Sequence, residues 1–196
     1  MNIFFVSDLP GLAAADLCDK HVVQMVRETA QLLATAHRVL DGEVVKEGKK
    51  SRYRLDSQLD TLIPQATHHN HPSAVWVRQS HLHYDWLFRY FQAILKEYTY
   101  RYKKTHFYQQ FEKPLEEQPR HIPSGCFIDP PQCMPDEYKV EGNCMQAYRR
   151  YYIGAKARFA KWNHATVPRW WPNQNGNGFI GPDAEQIDDE GSPGVH

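Results

Sequence analysis

From residue 13 to residue 39 the chain is an apolar run with helical spacing, broken only by a small set of ionisable side chains. A run of this length must become a long helix against which the rest of the chain packs. Leu17, Val22, Met25, Thr29, Leu32, Leu33 and Ala36 form its periodic set, and Asp41-Gly42 supplies a stop, so a helix over 12–40 is predicted. Within it stands Asp19-Lys20-His21, followed by Arg27-Glu28. At about 100° per residue, His21 and Glu28, seven positions apart, return to nearly the same face, and Arg27 points in a neighbouring direction. Ionisable groups inside an apolar helix cost free energy unless they are paired or used. A carboxylate beside a guanidinium and an imidazole suits acid, base or electrostatic work. The plainer alternative is a local salt bridge on an amphipathic helix.

The rest of the chain reads as a mainly α, single-domain helical bundle of three main helices with long loop insertions. Residues 2–7 are short, apolar and β-prone, a brief strand or an extended arm. Residues 43–70 are polar without a sustained period, an exposed connection with a short helix near 56–63. Pro72 follows His68-His69-Asn70-His71 near the first position of a second helix that runs to about residue 106. Residues 114–135 form a proline-bearing loop, long enough to favour a functional or covering role. A third helix, basic and aromatic, is predicted over about 143–162. Residues 1–171 make the domain, and the Asn/Gly/Pro/Asp-rich residues 172–196 are expected to be a disordered acidic tail.

With 196 residues and 41% hydrophobic content, the chain can bury a sizeable core. No apolar run approaches the roughly 20 residues of a membrane span. The start, Met1-Asn2-Ile3-Phe4-Phe5-Val6, lacks a basic n-region and reads as the beginning of the mature fold. Cys18, Cys126, Cys133 and Cys144 form no CxxC pair, so a reducing, cytoplasmic setting is expected. The formal net charge of zero conceals an asymmetry. The tail holds five acidic residues and no basic one, leaving the body at a net +5. Residues 144–171 carry six Lys/Arg and no Asp or Glu. Such a surface suits a polyanion, although a solvated helix face would look the same.

Two further constellations stand out. Tyr148-Arg149-Arg150-Tyr151-Tyr152-Ile153-Gly154-Ala155-Lys156 interleaves basic and aromatic residues, which suits nucleic acid: arginines neutralise phosphates and tyrosines stack on bases. Tyrosines at helical spacing are equally the mark of a half-buried core. His68, His69 and His71, with His81 and His83 beyond, lack the carboxylate or thiol that would complete a metal-ligand spacing, so helix capping or phosphate contact is favoured over zinc. No GxGxxG, P-loop, GxSxG or HExxH is present, and neither a metal nor a cofactor is expected.

The pattern Asp19-x-His21-x5-Arg27-Glu28 resembles the N-terminal helix of the pyrimidine-dimer DNA glycosylases, the phage endonuclease V family. Residues 71–97, ending Ala93-Ile94-Leu95-Lys96-Glu97, resemble that family's second long helix, and Tyr151-Tyr152-Ile153-Gly154-Ala155-Lys156 resembles its C-terminal aromatic-basic segment, with one inserted residue. The likeness covers three islands in order, not the whole chain. It implies a compact helical monomer that binds double-stranded DNA and flips a damaged or modified pyrimidine out of the duplex.

In that family the α-amine at the N-terminus attacks C1′, an imine forms, and β-elimination cuts the strand. An α-amine titrates near 8, leaving a neutral fraction at pH 7. By the resemblance Glu28 is the catalytic carboxylate, Arg27 holds phosphate or orients Glu28, and His21 faces DNA or supports the site. Asp19, Lys20, His71, Arg149, Arg150, Tyr151, Tyr152 and Lys156 are the implied DNA contacts. The family's amine belongs to a small residue exposed by methionine removal. Here the bulky Asn2 should keep Met1 in place, so Met1 is the candidate amine. Two other readings stay open: a phage-type transferase that modifies thymine in DNA on the same scaffold, and a DNA-binding protein without catalysis.

Overall fold

The computed structural model describes residues 1–48 and 50–172. The tail read from the sequence lies outside them except for Pro172. The elements in order are α1 (Pro10–Ala15), α2 (Asp19–Asp41), β1 (Glu43–Glu47), β2 (Lys50–Arg54), α3 (Leu59–Leu62), α4 (Pro72–Val77), α5 (His81–Tyr102) and α6 (Cys144–Tyr151), the last continued by one wider π turn, Tyr152–Lys156. The architecture is mainly α, with one two-stranded antiparallel sheet.

The two long helices α2 and α5 form the core, with α1 and α4 laid against them. Beyond Thr29, α2 is buried almost all round, from Leu32 through Arg38, as a helix enclosed by neighbours must be. Leu32 and Leu33 are fully buried, each contributing about 1.5–3 kcal/mol. Its first half differs. Lys20, Val23, Gln24 and Arg27 form an exposed stripe.

Four expectations are corrected. The helix expected over 12–40 is two helices, because Cys18 is extended and its N–H leaves the helical ladder to reach the Tyr152 hydroxyl at 2.8 Å. Arg101 fixes the break by donating to the Ala15 and Leu17 carbonyls, both at 2.7 Å. The second helix is split after Val77. Ser80, extended, accepts the Leu82 N–H and so starts α5 afresh. Helix α5 ends at Tyr102, where Lys103 turns left-handed at φ 55°. The third helix stops at Tyr151 and loosens into the π turn. Gly154 sits there because any Cβ would come within 2.3 Å of the Tyr138 ring.

The fourth correction is the β-hairpin, which stands in the segment expected to be an exposed connection without a sustained period. Gly48, at φ 63°, makes the reversal that a side chain would strain. Beneath the hairpin lies Arg38, with no exposed surface. All five of its N–H groups are used: Nε on Pro64 O, Nη1 on Tyr53 O and on Asp60 Oδ1, and Nη2 on the Asp60 and Ile63 carbonyls, at 2.7–3.0 Å. The short helix expected near 56–63 is present as α3.

Residues 2–7 adopt the extended-arm alternative, not a strand. The long loop is a strap over the α4–α5 corner. Trp76 Nε1 donates to Ile128 O, His83 Nε2 accepts the Ile128 N–H, and Ser80 Oγ donates to Gly125 O. Phe127 fills the space among Phe5, Trp76, His83 and Trp86.

Candidate catalytic site at the N-terminal arm

Glu28 is half-buried at the border of the α2 stripe, where the N-terminal arm crosses the helix. Its Oε1 accepts from Gln24 Nε2 at 2.7 Å, and its Oε2 accepts the Asn2 backbone N–H at 3.3 Å. A carboxylate has about four lone-pair sites, so acceptor capacity remains. Gln24, one turn before Glu28, orients it, a part that sequence reading missed. Arg27 is exposed and is not what holds the carboxylate. The local salt bridge is thus not how Glu28 is satisfied.

The basic-aromatic segment keeps the arm in place. Arg149 Nε donates to Val6 O at 3.0 Å, and its guanidinium lies 5.9 Å from the Trp170 ring. The Tyr148 hydroxyl donates to Pro131 O at 2.9 Å and stands 3.5 Å from Asn2 Oδ1. Phe4 has a left-handed backbone, φ 52°, which a bulky residue adopts only when its surroundings over-determine it. Its ring is buried, stacked 4.4 Å from His21 and 6.3 Å from Tyr151.

His21 is buried beside this arm. Its Nδ1 lies 2.7 Å from the Tyr152 hydroxyl, which also takes the Cys18 N–H. Burial first, then Lys156 and Lys20, push its pKa down to about 4, so the ring is neutral at pH 7. Tyr152 is wholly buried, and its phenol is pushed well up by the same burial. These two residues hold the site from behind. Asp19 is likewise turned inward: its carboxylate meets Arg101 Nη1 at 3.3 Å and the Asn163 N–H at 2.8 Å.

The remaining candidates reach solvent. Lys20 lies 4.7 Å from the Phe159 ring. Arg150 is exposed. Lys156 Nζ donates to the Tyr151 hydroxyl at 2.9 Å, 4.4 Å from that ring centre. His71 caps α4, its Nδ1 accepting the Ser73 N–H at 3.2 Å, which leaves the proton of the neutral ring on Nε2. Its pKa is lowered by burial, by the N-terminal ammonium and by His68, while Glu28 pulls it upward. The N-terminal ammonium and Glu28 therefore both lie within electrostatic reach of His71. His71 and Tyr151 also line a shallow depression of about 500 Å³ with Pro131, Gln132 and Cys133.

Another cleft, about 420 Å³, opens at the far end of α2 between His37, Asp41 and residues 113–120, remote from Glu28. In the core the Tyr90 hydroxyl has no hydrogen-bond partner among the described residues. Burial, with the Glu28 and Asp16 charges, pushes its ionisation far up. No three His, Cys, Asp or Glu among the described residues converge as metal ligands. His83 donates or accepts within the fold on both ring nitrogens, to Trp76 O at 2.8 Å and from Ile128 N at 3.1 Å.

The three sequence islands thus meet around one arm. Their arrangement can hold a carboxylate and the start of the chain together, beside a basic stripe on α2. A family model described as pyrimidine dimer DNA glycosylase matches residues 1–110, which span the arm, Glu28, His71 and α5. No curated protein and no solved structure matches the chain.

Proposed function

The chain belongs to the pyrimidine dimer DNA glycosylase family, and on that premise we propose that it turns a damaged or modified pyrimidine out of double-stranded DNA and breaks its glycosidic bond at Glu28. The observation that carries this reading is the contact between the Glu28 carboxylate and the Asn2 N–H, which puts the first residues and the acid in one site. The Met1 α-amine, as the neutral base, attacks C1′. The C1′–N bond breaks, and the departing pyrimidine takes up the electron pair and a proton. Glu28, ionised, stabilises the positive charge that develops at the sugar and relays the proton as the ring opens to an imine. Loss of a C2′ proton then expels the 3′ phosphate by β-elimination.

Lys20, Arg27 and Arg150 are exposed cations that would neutralise phosphates, and His71 and Tyr151 border a depression that would receive a displaced nucleotide. His21, Tyr152, Arg149 and Asp19 act by fixing the arm and the start of α2.

The test is Glu28→Gln on a duplex carrying a thymine dimer. Cleavage of the glycosidic bond, read as strand scission after alkali, should fall by about 10²–10⁴-fold, the usual size of a lost acid–base or electrostatic group. Full activity in this variant would sink the assignment. Borohydride should trap the unchanged protein on the DNA, with the cross-link on the peptide that contains Met1. Glycosidic-bond cleavage without trapping would leave glycosylase chemistry but remove the amine.

A further inference from the structure

The side of α2 that carries the exposed stripe continues, covered, beyond Arg27. Arg38 is eighteen residues from Lys20, which is five full turns, so it falls on the same side of the helix, about 16 Å beyond Arg27. Arg38 is nonetheless buried, because the root of the β-hairpin sits on it and gives it the Tyr53 carbonyl. Gly42 lets the chain leave α2 directly into β1. A Cβ there would lie 2.5 Å from Arg38 O and 3.1 Å from Arg54 O. The hairpin therefore rises from the side of α2 that carries Lys20, Gln24 and Arg27. Its Tyr53 ring lies 5.6 Å from His69, in the loop that carries His71.

What the hairpin presents is polar and basic. Residues 43–54 contain five Lys/Arg and two Glu. The strands pair Glu43 with Arg54 and Val45 with Arg52 on one face, and Val44 with Tyr53 and Lys46 with Ser51 on the other. Lys46, Ser51, Arg52 and Arg54 are exposed, and Val44 is 61% exposed. Two strands with no apolar face to bury are marginal alone, so this ribbon owes its order to the Arg38 root. Its surface complements an extended polyanion, and it is continuous with the stripe already assigned to DNA.

We propose that the β1–β2 hairpin is a second DNA-contacting arm, which rests on the reading above. It meets the phosphate backbone of the same duplex about five base pairs to one side of the Arg27 contact, taking one phosphate per about 3.4 Å of strand. The contact is independent of sequence, because it is made to phosphate and not to base edges.

The experiment compares the unchanged protein with the double variant Arg52→Gln/Arg54→Gln, two exposed cations on one face of the hairpin, on a duplex of about 30 base pairs with a central thymine dimer, long enough to cover both contacts. Anisotropy titrations across a salt series give the slope, and hydroxyl-radical footprinting gives the protected sugars. The unchanged protein should protect a patch on one side, about five base pairs out. The variant should lose that patch and bind with a salt slope smaller by about two, near one unit per phosphate contact. Circular dichroism checks that the variant keeps its helices. Glycosidic-bond cleavage at the dimer by the unchanged protein, with identical slopes and footprints for both proteins, would overturn the arm and leave the glycosylase reading standing. No binding or cleavage at all by the unchanged protein would overturn both.

Discussion

The two ends of α2 carry the same kinds of residue and use them in opposite ways. Near the C-terminal end, Arg38 is fully enclosed, with five N–H groups on five acceptors, and His37 shares its Nε2 with the Tyr84 hydroxyl at 2.9 Å. Near the N-terminal end, Glu28 is half-exposed, takes two hydrogen bonds and keeps acceptor capacity. A buried charge whose every donor is matched is committed to the fold. A partly solvated carboxylate, held by a glutamine and by the backbone of an arm, is oriented but available. Burial together with full pairing separates Arg38 from Glu28.

The comparison breaks most visibly at Arg38. Arg38→Met should cost about 3–5 kcal/mol of stability, because it takes the guanidinium donor from four carbonyls, those of Tyr53, Asp60, Ile63 and Pro64, and leaves the Asp60 carboxylate with the Leu55 N–H alone. Urea unfolding reads this directly. Glu28→Gln should change the unfolding free energy by less than about 1 kcal/mol, as a half-exposed group does. Equal losses in the two variants would erase the distinction.

A second test uses the histidine at each end. Burial pushes both His21 and His37 down to about 4 in the folded chain. Unfolded, each titrates near 6.5. As pH falls below about 6.5, the unfolded chain takes up protons that the folded chain refuses. Stability present above that value is therefore lost progressively down to about pH 4, by as much as about 3 kcal/mol per histidine. Urea titrations at stepped pH should show the decline, and a flat profile between pH 7 and pH 4.5 would contradict it.

A further variant sharpens the N-terminal end. Tyr152→Phe removes the acceptor for the Cys18 N–H and the partner of His21. It should cost about 1–3 kcal/mol, since a buried N–H is left unsatisfied. Glycosidic-bond cleavage should decline with it as the arm beside Phe4 loosens, and a variant as stable as the parent would show that the hydroxyl is dispensable.

These contrasts also mark what could be read before folding. The long helices announced themselves through apolar residues at helical spacing, and the family through Asp19, His21, Arg27 and Glu28 in order. The helix breaks did not, because their causes come from afar: Tyr152 at Cys18 and Arg101 at Ala15. The hairpin was silent for another reason. A ribbon with no buried face has no need of the apolar alternation by which a strand shows itself in sequence. His71 as a helix cap was within reach of sequence, since Pro72 follows it.

The amino-acid order by itself determined the mainly α character, the family, and a basic body, because periodicity, motif spacing and charge are local properties of a chain. Tertiary structure decided which charges are scaffold and which face solvent. It turned His21, Tyr152 and Asp19 inward, brought Asn2 to Glu28 across 26 residues, and stood the hairpin on Arg38. Those outcomes depend on desolvation and on partners distant in sequence, and a buried polar group acquires its partners only when the chain closes around it.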